Sequence, residues 1–64
     1  MKYPNIIVQL TGEDGNAFYI LAKVTLALNK NKVSPDEIEK FLKEAKSGNY
    51  DNLLVTCMNW VTVE

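Results

Sequence analysis

The stretch GEDGN, residues 12 to 16, sets two adjacent acids between two glycines, and its residue types invite chemistry. Glu13 and Asp14 are candidates for sharing a divalent cation or for acting as an acid and base pair. Side chains adjacent in a turn diverge, however, and Mg²⁺ or Ca²⁺ needs further oxygen ligands at set offsets that this chain does not supply. The stretch is no P-loop, because it lacks the lysine and hydroxyl that follow the second glycine there. The chain contains no histidine, so a His-centred triad, a His general base and a His metal ligand are all excluded. Cys57 lies in an apolar-spaced segment with no activating neighbour and reads as a core residue, not a nucleophile. The inventory predicts no enzyme, no bound metal and no cofactor.

Two readings of GEDGN stay open. In one, the glycines permit a sharp reversal between a strand and a helix, Asp14 or Asn16 caps that helix, and the acids suit its dipole. In the other, Gly12, Glu13, Asp14, Gly15 and Asn16 form a ligand loop. Its backbone N–H groups would meet an anion, and its acids would accept hydrogen bonds from ribose hydroxyls or a base amino group.

The flanking elements decide where such a loop would sit. Residues 5–11, NIIVQLT, alternate with Ile6, Val8 and Leu10 on one face, the signature of a strand, while Ile7 makes the other face partly apolar. From Ala17 the period changes, with Ile20, Leu21, Val24, Ala27 and Leu28 on one helical face and Asn16 as N-cap. Phe18, Ala22 and Leu26 form a second stripe at steps of four, swung well away from the first. Either a second layer of the same monomer covers this stripe or a partner subunit does. So short a chain has few elements to supply both layers, which favours a homo-oligomer with Phe18, Ala22 and Leu26 at the interface.

VSPDEI, residues 33–38, starts a second helix, with Ser34 as N-cap, Pro35 at the first position and Glu37 closing a capping box. Asp36 with Lys40 and Glu39 with Lys43 are spaced as ion pairs, and Gly48 supplies the stop. YDNLLVTCMNWVTVE is ambiguous between one long strand and a short third helix over 52–59, capped by Asp51, followed by a strand at 61–63. The second choice predicts an α+β domain, β-α-α-α-β over residues 1–64, with its end strands paired. A two-stranded ribbon is marginal by itself, a further reason to expect assembly.

At 47% hydrophobic and 23% charged residues in 64 positions, the chain is of globular composition. One cysteine excludes an internal disulfide and points to the cytoplasm, and no apolar run is long enough to span a bilayer. Seven lysines, no arginine and a net charge of −1 argue against duplex nucleic acid as a partner.

GEDGNAF, together with SGNYDNLL at residues 47–54 and the Trp60-Val61 end, resembles a family of short proteins of phages, prophages and bacterial genomes, over nearly the whole chain. Members often carry an arginine-rich end to the first helix, where this chain has Lys23, Asn29, Lys30 and Lys32. The resemblance implies a phage context and no reaction. In that context the first expectation is a homo-oligomeric sponge that sequesters a nucleotide-derived immune signal of the host. The GEDGN loop, Lys23 or Lys30 for phosphates, and Tyr19 or Trp60 stacking on a base would line its pockets. The alternative is an inhibitor or adaptor whose Phe18, Ala22 and Leu26 stripe docks on a host or phage protein.

Overall fold

The two ends of the chain lie side by side, β1 (Tyr3–Val8) and β2 (Val61–Val63) forming a two-stranded parallel sheet. The structure, a computed structural model, describes residues 2–10 and 16–64. Parallel strands need a long crossover, supplied here by α1 (Ala17–Lys30), α2 (Pro35–Ala45) and α3 (Tyr50–Trp60). The domain is α+β in the expected order, β-α-α-α-β, with its end strands paired.

Tyr3 pairs with Val61, Ile7 with Thr62 and Val8 with Val63, with an irregularity between Tyr3 and Ile7. Thr62 Oγ1 donates to the Pro4 carbonyl at 2.8 Å within that irregular stretch. The strand begins earlier than the alternation over 5–11 indicates. The Lys2 N–H donates to the Asn59 carbonyl at 2.9 Å, and the Tyr3 ring lies 6.0 Å from that of Trp60, so the segment before Asn5 is drawn into the sheet. Thr11 lies outside the described residues.

Each helix begins on a side-chain cap. Asn16 Oδ1 accepts from the Phe18 and Tyr19 N–H groups at 2.8 and 3.2 Å, and Ser34 Oγ accepts from Glu37 N–H at 3.3 Å. Only half of the expected capping box is made. The Glu37 carboxylate turns away to Lys2 Nζ at 2.8 Å, to the Tyr3 hydroxyl at 3.3 Å and to Lys40 Nζ at 3.6 Å. Lys40 therefore pairs with Glu37 instead of Asp36. The third helix is capped by Asn49, whose Oδ1 accepts from Asn52 N–H at 3.0 Å, and not by Asp51, which stands within the first turn.

Helix ends also depart from expectation. α1 closes with the Val33 N–H on the Leu28 carbonyl and the Lys32 N–H on the Asn29 carbonyl, both at 3.0 Å. Lys32 takes the left-handed position of this motif, φ 63°, where glycine is the usual occupant. α2 stops at Ala45, with Lys46 as its C-cap, before Gly48 is reached. Gly48 is needed for a different reason than the expected left-handed turn: a Cβ there would stand 3.0 Å from Asn52 Cβ. The close approach lets Asn52 Nδ2 donate to the Glu44 carbonyl at 2.9 Å, tying the end of α2 to the start of α3.

The helices share one core with the inner face of the sheet. Ile6 and Val8 from β1, Ile20, Leu21, Val24 and Leu28 from α1, Phe41 and Ala45 from α2, and Leu53, Cys57 and Trp60 from α3 are all buried. Phe41 and Trp60 meet edge to face with ring centroids 5.5 Å apart. Val55, Thr56 and Trp60 prefer strands by propensity, yet the 3.6-residue period places Thr56 and Trp60 inward, and burial overrides the local preference.

Candidate functional site

α1 has two unlike sides. Ile20, Leu21, Val24 and Leu28 face the core, whereas Phe18 is 81% and Leu26 67% exposed, with Ala22 exposed between them. The predicted second stripe is thus on the surface, and among the described residues no other layer covers these three side chains. Large apolar side chains cost stability when exposed, about 1.5–3 kcal/mol each relative to burial. A contiguous pair at helical spacing is more informative than a scattered one.

Tyr19, Lys23 and Lys30 border this stripe. Tyr19 is 38% exposed, and Lys23 Nζ lies 5.6 Å from its ring centroid, an arrangement that presents a cation and an aromatic face together. Lys30 follows two turns later, exposed in the last turn of the helix. Asn16, at the N-terminus of the same helix, holds its carbonyl oxygen on the two backbone N–H groups that it caps. The structure therefore brings Asn16, Tyr19, Lys23 and Lys30 onto one helix beside the apolar stripe. Gly12, Glu13, Asp14 and Gly15, the rest of the expected ligand loop, lie outside the described residues.

Trp60 does not join them. It is 2% exposed, with Phe41 edge-on to its ring, Tyr3 tilted against it, and Lys2 Nζ 4.2 Å from its ring centroid. The indole N–H points to Glu44 Oε1 at 3.4 Å. This ring is core, not an open platform for a base; its place at the junction of α3 and β2 turns it inward.

Tyr50 was missed by the sequence reading. It is 40% exposed and, with Phe18, flanks a crevice of about 400 Å³ whose floor includes Leu21, Ala45 and Leu53 and whose rim carries Lys46. The crevice forms where the start of α1 meets the end of α2, the turn after it and the start of α3, and no spacing within any one segment signals it. Phe18 thus belongs both to the exposed stripe and to the crevice wall.

Cys57 is fully buried, and burial pushes its thiol up to about 11, far from the range of a reactive thiolate. Glu37 has its carboxyl held below the ordinary value, first by the hydrogen bond from Lys2, whose own ammonium is raised by the same contact. That pair ties the residue before β1 to α2. Among the described residues no group of three or more His, Cys, Asp or Glu side chains converges as a metal site, and no helix is long and apolar enough to cross a membrane. The chain matches no protein-family model, no curated protein and no solved structure.

Proposed function

We propose that this is a non-catalytic binding protein that works as a homo-oligomer and sequesters a small nucleotide-derived molecule, in the manner of a phage sponge for a host immune signal in the host cytoplasm. The observation that carries the reading is the exposed Phe18, Ala22 and Leu26 stripe beside Tyr19, Lys23 and Lys30. The apolar part suits burial against another subunit. Beside it, the aromatic ring and two ammonium groups suit a base and its phosphates. With Trp60 in the core, Tyr19 takes the stacking role, and the GEDGN loop would add hydroxyl contacts from the N-terminal end of the helix.

Thermal unfolding with a panel of cyclic dinucleotides and ADP-ribose derivatives tests the cargo. A ligand held only by the folded protein stabilises it by about 2.7 kcal/mol at a hundred times its Kd. For a domain of this size that is a rise in Tm of about 20 °C. The absence of a shift with every nucleotide tried would remove the cargo.

The second reading is an adaptor or inhibitor that docks the same stripe on a host or phage protein. What favours it is that Phe18 and Leu26, the two most exposed large apolar side chains among the described residues, stand together on this face. It requires a free monomer, whereas the sponge requires copies to associate.

A further inference from the structure

We infer that two copies pair through α1 in antiparallel fashion about a twofold axis at Ala22, creating a shared cationic trough that takes a phosphate compound bearing two negative charges. This rests on the homo-oligomer reading above and specifies its geometry. Phe18, Ala22 and Leu26 recur at steps of four, the ridge that interdigitates in the commonest helix-packing class. The order is large, small, large. Reversing the helix direction sets Phe18 of one copy against Leu26 of the other and Ala22 against Ala22, where a methyl side chain lets the backbones approach. A twofold interface must be complementary to itself in this way, each residue answering its counterpart's partner. A foreign protein would impose no such palindrome.

The area is sufficient. In this packing class the helices cross, contact centres on the turns around Ala22, and the exposed parts of Phe18 and Leu26 with the stems of Tyr19 and Lys23 cover roughly 500 Å² per copy. That is about 1,000 Å² in total, the threshold of specific interfaces, half of it taken from the 4303 Å² that each chain exposes.

The trough follows from symmetry. With 3.6 residues per turn, Tyr19, Lys30 and Lys23 lie about 60°, 80° and 100° around the helix from Ala22, all to one side. A twofold axis normal to the plane of two antiparallel helices leaves that side unchanged. Both copies therefore present these residues along the same edge, with the two Lys23 side chains flanking the axis. Lys30 stands about 12 Å along the helix from the axis, so the two Lys23 ammonium groups are the pair that converges, and α1 carries no acidic residue in Ala17–Lys30 to answer them. An anion between them relieves their repulsion, and the two Tyr19 rings flank it. The single copy holds half of this site.

Cysteine cross-linking on the folded protein tests the geometry. Ala22→Cys sits on the axis and is expected to form disulfide-linked dimers under mild copper-phenanthroline oxidation. Asn29→Cys, exposed about 10 Å further along the helix, falls about 20 Å from its mate in the antiparallel pair and is expected not to. Buried Cys57 stays silent in the parent protein. Inorganic pyrophosphate is the probe for the trough. At about ten times its Kd it should tighten the dimer about tenfold, and a Lys23→Gln, Lys30→Gln variant should dimerise without responding to it. Equal cross-linking at both positions overturns the antiparallel pairing. A dimer that cross-links at neither overturns the use of this face while leaving the homo-oligomer reading intact. A pyrophosphate response that is absent, or equal in the double variant, overturns the trough, and a monomer at every concentration sinks the parent reading itself.

Discussion

Phe18 and Leu26 stand eight residues apart on the outer side of α1, 81% and 67% exposed, and the small Ala22 fills the interval between them. Neither side chain belongs to the core that the monomer builds. Exchanging Leu26 for lysine should therefore leave the unfolding free energy of the isolated chain within about 0.5 kcal/mol of the parent, as read by urea denaturation in dilute solution. The same change places a charge in any α1 interface and should abolish association.

Trp60→Ala removes a ring held by Phe41, Tyr3 and Lys2. Truncating a buried aromatic costs about 3–5 kcal/mol, which rivals the whole stability of a domain this small, about 3–10 kcal/mol at the usual amount per residue. Circular dichroism of the variant should show lost cooperativity or a largely unfolded chain. A Tyr19→Ala variant should keep its fold and lose nucleotide. The opposite pattern would restore Trp60 as the stacking ring.

Glu37 joins two segments far apart in sequence through Lys2, and the contact gives stability a defined pH window. Glu37 is lowered in the folded state, so its contribution is present above the unfolded glutamate value and is lost as pH falls through the lower folded one. Lys2 is raised, so its contribution is complete below the unfolded lysine value and is lost as pH rises through the higher folded one. Glu37→Gln should lower Tm between about pH 5 and 10, with the difference from the parent shrinking toward either extreme and in high salt. A pH-independent difference would mean that the carboxylate's charge is irrelevant.

Lys32 occupies a left-handed backbone position with φ 63°. A side chain there costs about 1–2 kcal/mol relative to glycine, offset in part by the extra chain entropy that glycine loses on folding. Lys32→Gly should stabilise by about 0.5–1 kcal/mol by denaturant titration, and Lys32→Ala should not. Stabilisation by both would point to the lysine charge instead of the backbone.

Order and class of the elements were legible because each carries its own period. Ile6 and Val8 alternate against Ile7, and Ile20, Leu21, Val24 and Leu28 step at 3.6 residues. α3 could be read only against propensity, since Val55, Thr56 and Trp60 prefer strands while the spacing of Leu53, Thr56, Cys57 and Trp60 decides for a helix. Contacts between distant segments left no local trace. Lys2 and Tyr3 claim the Glu37 carboxylate that a capping box would have used, and Tyr50 meets the Phe18 crevice only after α1 and α3 pack. The second stripe was legible from its steps of four, whereas its outward exposure was not, because a second layer of the same monomer was one of its two possible covers. Trp60 was misread as a stacking ring because its type fits a ligand platform as well as it fits a core, and its burial depends on Phe41 and Tyr3.

Sedimentation equilibrium of the unmodified protein, from nanomolar to high micromolar concentration, bears most directly on the α1 face. The weight-average mass should climb from that of one chain, 7.2 kDa, to an integral multiple of it, and Leu26→Lys should hold it at 7.2 kDa throughout. A parent protein that stays at 7.2 kDa across the whole range, with Phe18 and Leu26 still facing solvent, would contradict self-assembly and leave the stripe to a foreign partner.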